Sequence, residues 1–146
     1  MSRSGYSDDL EPWDLIRWRG AVKSAIRGKR GQAMLRELLA ALDAMPVKEL
    51  ITEDLVDADG CYCTLGALGA ARGMDLASID AEDPHSVAEA FGIPRALAAE
   101  IEYENDETWC YPIGGGGWAR ETPAQRWVRM RAWVAKHLKD ESPGVE

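Results

Sequence analysis

Apolar residues recur at helical spacing along most of this chain. Leu15, Trp18, Val22 and Ile26 fall three or four residues apart just after Pro12, which predicts a helix over residues 13–27. Leu35, Leu38, Leu39 and Leu42 share one face of a second helix over 32–45, stopped by Pro46. The basic turn Gly28-Lys29-Arg30-Gly31 between them is short, so the two should pair as an antiparallel helical hairpin. Beyond Pro46 the periodicity lapses. Leu50-Ile51 and Leu55-Val56 are isolated apolar pairs and Asp57-Ala58-Asp59-Gly60 is a turn signal, which together fit a minor β-hairpin near residues 50–63.

From Thr64 to Arg72 the chain is built of small residues. Each glycine there weakens an isolated helix by about 1 kcal/mol relative to alanine. A helix at this position therefore needs close neighbours, and it is expected to be the buried central one, capped by Gly73. Asp83-Pro84 opens a short helix that Gly92 ends, and Pro94 opens another to about Glu104, with Leu97 and Ile101 inward. Residues 105–121 read as a loop around Gly114 to Gly117. Thr122-Pro123 opens a last helix that carries Trp127, Met130, Val134 and Leu138 on one face. The expectation is one all-α domain of five to six helices over residues 1–146, with 1–11 and 140–146 as flexible tails.

Composition narrows the class. The hydrophobic fraction of 46% over 146 residues suits one globular domain rather than a disordered chain. No apolar run approaches the roughly 18 residues of a membrane span, and the N-terminus has no signal-peptide core. Cys61, Cys63 and Cys110 are an odd number, which fits a reducing compartment, so a cytoplasmic location is expected.

Charge changes the picture more. Residues 41–110 hold sixteen Asp and Glu against Lys48, Arg72 and Arg95, while both ends of the chain are net basic. The overall charge of −8 opposes general binding to nucleic acid or anionic membranes. The densest acidic run is Glu100, Glu102, Glu104, Asp106 and Glu107. Glu100, Glu104 and Glu107 share one helix face, and crowded like charges there favour a relieving partner. That partner is either another protein with a basic surface or the arginines Arg126, Arg129 and Arg131 of the last helix. Trp109 and Trp118, with Tyr111, flank the glycine loop and are candidate contact residues.

Residues 86–102 have the spacing of a helix-turn-helix, with Ala88 at the close approach, Gly92 in the turn, and Ile93, Ala98 and Ile101 inward. The chemistry is wrong for DNA: Arg95 is followed by carboxylates where base- and phosphate-contacting cations belong. Asp57-Ala58-Asp59-Gly60 fails as a calcium loop, because its first and twelfth ligand positions would be Leu55 and Gly66. A looser carboxylate site would use Asn105 and Asp106. Cys61-Tyr62-Cys63 has one intervening residue and no second pair, so zinc is not expected, and buried structural thiols fit better. His85 and His137 have no nucleophile beside them in sequence, and Gly114 to Gly117 lacks the Lys-Ser/Thr of a phosphate loop.

Three features together resemble a known group. The Cys63-led small-residue helix, the stretch Tyr103-Glu104-Asn105-Asp106-Glu107, and the Thr122-Pro123 helix entering Arg126-Trp127 look like small uncharacterised accessory proteins of bacteriophages and prophages, over residues 30–139. That group has no assigned activity, so the resemblance transfers no functional residue. It implies a context, inhibition of host CRISPR, restriction or transcription complexes, in which proteins of this size often work. The sequence therefore points to a non-catalytic acidic interaction protein without cofactor or metal, with residues 100–107, Trp109 and Trp118 as its contacts. A DNA-binding regulator using Arg95 is the alternative, and a metal-dependent enzyme the second.

Overall fold

The computed structural model describes residues 3–4, 11–107, 110–113 and 117–139. The first two helices, α1 (Pro12–Arg27) and α2 (Lys29–Ala44), form the expected hairpin, with Gly28 as their extended hinge. Gly31 is required there, because a Cβ at this position would overlap the carbonyl oxygen of Ala25. Val22 and Ile26 of α1 and Leu35, Leu38 and Leu42 of α2 are buried, as their spacing requires.

The small-residue helix α3 (Thr64–Ala71) is the buried centre, with every residue from Thr64 to Gly69 buried. Cys63 caps it: its Sγ accepts a hydrogen bond from the Gly66 N–H at 3.3 Å. A Cβ on Gly66 would strike the Leu55 carbonyl oxygen, so glycine lets the preceding loop lie directly on the helix. A 3-10 turn at Leu76–Ser78 follows. Next comes α4 (Pro84–Phe91), capped by Asp83, whose carboxylate accepts the His85 N–H at 3.1 Å and the Ser86 hydroxyl at 2.7 Å. Gly92, at φ +68°, turns the chain into α5 (Arg95–Asp106). The last helix, α6 (Pro123–His137), starts at a full capping box between Thr122 and Gln125. Contacts with α1, α3, α4 and α6 surround α5, whose residues Ala96 to Glu102 are all buried.

Among the described residues the fold is all-α with six α-helices, and three sequence expectations need correction. The hairpin near residues 50–63 is reduced to a single antiparallel bridge, Val56 to Tyr62; a few backbone bonds cross the segment, but the Leu50 and Ile51 carbonyls are taken by Arg126 and Asn105 side chains rather than by a continuing ladder. Residues 105–121 are not all loop. Here β1 (Cys110–Ile113) and β2 (Gly117–Arg120) pair in register from Cys110 opposite Arg120 to Ile113 opposite Gly117. Tyr111, Ile113 and Trp118 favour strands, a signal outweighed in the sequence by the neighbouring glycines. A third correction concerns the N-terminus: Arg3 and Ser4, inside the stretch expected to be a flexible tail, are buried. Residues 140–146, the other expected tail, lie outside the described residues. Among the described residues no helix is long and apolar enough to cross a membrane.

Gly66→Ala should lower stability in urea denaturation by about 1–3 kcal/mol, because the added methyl meets backbone rather than a movable side chain. Gly20→Ala should raise it by about 0.5–1 kcal/mol, since a Cβ at that exposed helical site meets nothing within 4 Å. Equal signs for the two would contradict the packing described.

Candidate interaction surface

Residues 45–63 join α2 to α3 without any helix, yet they are held at many points. The Leu50 N–H donates to the Pro123 carbonyl at 3.1 Å, and Arg126 Nη1 donates to the Leu50 carbonyl at 2.7 Å. The Ile51 N–H meets the Tyr62 carbonyl at 3.0 Å, and the Cys63 N–H meets that of Leu55 at 3.3 Å. Asp57 Oδ1 accepts the N–H groups of Asp59 and Cys61, both at 2.9 Å, which closes the turn at the tip. Long connections of this kind, when ordered, tend to be functional.

The end of α5 fixes the loop's other side. Asn105 is buried and uses both ends of its amide. Its Oδ1 accepts from the Thr64 N–H at 3.0 Å and the Thr64 hydroxyl at 2.7 Å, while Nδ2 donates to the Ile51 carbonyl at 2.9 Å. Asp106 Oδ1 accepts the Glu53 N–H at 3.1 Å. Glu53 has φ +73° and is the one non-glycine residue with positive φ among those described. A left-handed glutamate costs of order 1 kcal/mol and persists only where its surroundings impose it. Here the Asp106 carboxylate holds the Glu53 N–H in that conformation. The Asn105–Asp106 pair considered for a cation is thus committed to protein hydrogen bonds. Among the described residues no group of three His, Cys, Asp or Glu side chains could hold a metal ion.

The loop presents Glu49, Glu53, Asp54 and Asp59 as exposed carboxylates. None of them makes an ion pair with a cation among the described residues. Their field is felt at the exposed Cys61, whose thiol pKa is raised by desolvation and then by Asp57, Asp59 and Glu49. A second exposed set, Asp75, Asp80, Glu82 and Glu89, lies beyond the other end of α3.

The expected acidic patch at 100–107 is largely turned inward, with Glu100 and Glu102 buried and Glu104, Asp106 and Glu107 partly so. Glu100 is 4% exposed and takes both Nη groups of Arg19, at 2.9 and 3.2 Å. Glu102 is 1% exposed, with Oε2 3.4 Å from Arg3 Nε. Asp106 accepts from both Nε and Nη2 of Arg3, the latter at 2.8 Å. Glu104 is half-buried, 4.0 Å from Arg129, and its pKa is raised by burial and by Glu100. Glu107 remains partly exposed. The neutralising cations are therefore chiefly Arg3 and Arg19 from the N-terminal end, and of the three α6 arginines Arg129 alone forms an ion pair with the run, at 4.0 Å from Glu104, among the described residues. Arg126 goes to Leu50 and stands 3.5 Å from Glu121, Arg129 donates to Glu121 at 2.6 Å, and Arg131 pairs with Asp43. Trp109 lies outside the described residues, and Trp118 falls on β2 opposite Pro112.

Arg95 is exposed at the first turn of α5, but the helix behind it is enclosed. A recognition helix must lay an open face in the major groove, and α5 has none from Ala96 to Glu102. The helix-turn-helix spacing here serves packing of α4 on α5. Cys63 is buried and its thiol pKa is raised by that burial, against a lowering by Arg3.

No family model, no curated protein and no solved structure matches the chain. The site therefore rests on its own geometry. Sequence reasoning missed the loop as a site and Asn105–Asp106 as its anchor. The available signals were the long helix-free stretch between Pro46 and Cys63 and its run of unpaired carboxylates.

Burial, opposed by Arg3 and assisted by Asp106, pushes the Glu102 carboxyl up to about 7. A carboxyl raised on folding binds a proton more tightly in the native state, so its contribution is fully present below the unfolded value near 4.5 and is lost as pH rises through about 7. Glu102→Gln, which mimics the protonated form, should match wild type near pH 5. It should exceed wild type by on the order of 2–3 kcal/mol near pH 8. Denaturant titrations at the two pH values read the difference, and a pH-independent gap would exclude this titration.

Proposed function

We propose that this chain is a non-catalytic acidic interaction protein that docks on a basic surface of a protein that handles nucleic acid. The observation that carries the reading is the 45–63 loop: a strained Glu53 held by Asp106, within a segment that displays four carboxylates without counter-ions among the described residues. Two physical features support it. A loop tied at this many points loses little entropy on binding, which raises the affinity available from a small contact. Unpaired surface carboxylates attract a basic partner over a Debye length and repel phosphates, so they favour the protein over the nucleic acid it holds.

This reading keeps the class of partner expected from the sequence and moves the contacts. Charge reversal at Glu100 or Asp106 would break bonds to Arg19 and Arg3, so in this fold it tests stability rather than binding. The narrower form, an inhibitor of the kind bacteriophages carry against CRISPR, restriction or transcription complexes, rests on the sequence resemblance alone.

A fluorescent arginine- and lysine-rich peptide serves as the basic probe. Wild-type protein should bind it in polarisation assays at about 50 mM NaCl and weaken steeply by about 300 mM. Replacing Glu49, Glu53, Asp54 and Asp59 with lysine should weaken binding by about 100-fold while leaving the circular dichroism melt in place. Duplex DNA in the same assay should not bind wild type. Salt-independent binding, or an unchanged affinity in the fourfold variant, would reject the loop as the contact surface.

A further inference from the structure

Arg3 enters a recess formed by Glu102 and Asp106 of α5, beside the Cys63 thiol at the head of α3. The Arg3 side chain is 2% exposed, that of Glu102 0% and that of Asp106 7%. Bonding inside the recess is lopsided. Both Nε and Nη2 of Arg3 donate to Asp106. Glu102 takes only the 3.4 Å ion-pair approach of Nε. Neither of its oxygens accepts a hydrogen bond, and Nη1 of Arg3 donates none. A guanidinium carries five N–H donors in a planar fork, and each carboxylate offers two acceptor oxygens. The recess thus holds two carboxylates for one cation, and Arg3 uses the hydrogen-bonding capacity of only one.

We propose that this recess is a guanidinium-recognition pocket, filled in the free protein by its own Arg3 and able to accept an arginine side chain from another chain in its place. Two carboxylates on successive turns of one helix, residues 102 and 106, suit a planar fork that presents donors along two edges. An arginine not tied to the backbone of residue 4 is free to turn one edge to Asp106 and the other to Glu102. It would satisfy the Glu102 oxygens that Arg3 leaves idle and put all of its own N–H donors to use. Lysine, a compact ammonium, cannot meet both carboxylates in this bidentate way. The pocket is also wired to the surface: the Asp106 Oδ1 that the arginine engages is the atom that holds the Glu53 N–H. The proposal concerns the recess alone and stands whether or not the exposed loop binds a basic partner.

Isothermal titration with Nα-acetylarginine amide tests it. Arg3→Ala should bind this probe saturably at one to one. Wild type should not, because a tethered Arg3 at millimolar effective concentration excludes it. The matching lysine amide should bind Arg3→Ala at least about tenfold more weakly. Adding Glu102→Gln to Arg3→Ala should weaken the arginine probe by about tenfold. No binding to Arg3→Ala, equal binding of the lysine probe, equal binding to wild type, or indifference to Glu102→Gln would each make Arg3 a structural ion pair and nothing more. If Arg3→Ala is unfolded in buffer, a few millimolar guanidinium chloride should restore its circular dichroism melt where methylammonium chloride does not, and failure to restore it overturns the proposal. Light scattering of wild type separates the sources of the incoming arginine. A dimer that disappears in Arg3→Ala assigns it to a second copy, and a monomer leaves it to a foreign chain.

Discussion

Asn105 and Asp106 end α5 at the point where three otherwise separate parts of the chain converge. Through them α5 holds the start of α3 at Thr64, the loop at Ile51 and Glu53, and the N-terminal Arg3. Each such bond contributes only about 1 kcal/mol net. The penalty for leaving a buried amide or carboxylate without partners is larger, so once Asn105 is buried its partners must be in place. That requirement sets the path of residues 51–64 and makes a helix-free segment as well defined as the helices around it.

The same end of α5 resolves the charge asymmetry of the chain. Carboxylates at 100, 102 and 106 face inward and draw their cations from the N-terminal region. The neutralisation is incomplete at Glu102, which shares Arg3 with Asp106 and accepts no hydrogen bond of its own. A buried carboxyl in that position responds to protons near neutrality, and a buried guanidinium with an idle donor responds to competing ligands. Among the described residues, exposed carboxylates gather elsewhere, on the 45–63 loop and on the stretch from Asp75 to Glu89.

Packing and function are linked through the burial of α5. A helix enclosed by four others has no open face from Ala96 to Glu102 to lay in a groove, and its helix-turn-helix spacing joins α4 to the core. Enclosure also makes α5 a rigid post, and the loop anchored to it is stiff enough to keep a glutamate in a left-handed conformation. A stiff acidic loop on a rigid post is suited to recognition.

By itself the sequence determined the helices. Apolar residues at three- and four-residue spacing, Pro12, Pro46, Asp83-Pro84, Gly92 and Thr122-Pro123 act over a few residues, and α1 to α6 begin and end close to where those signals place them. It also determined that α3 must be central, because a helix of glycine and alanine is stable only when others press on it. Tertiary structure decided the electrostatics. Arg3 meets Asp106 across 103 residues and Arg19 meets Glu100 across 81, and nothing local marks those arginines rather than Arg126 or Arg131 as the partners. An ion pair is a property of two positions brought together by folding, so which carboxylates were spent inside and which remained on the surface could be read only once the helices were packed.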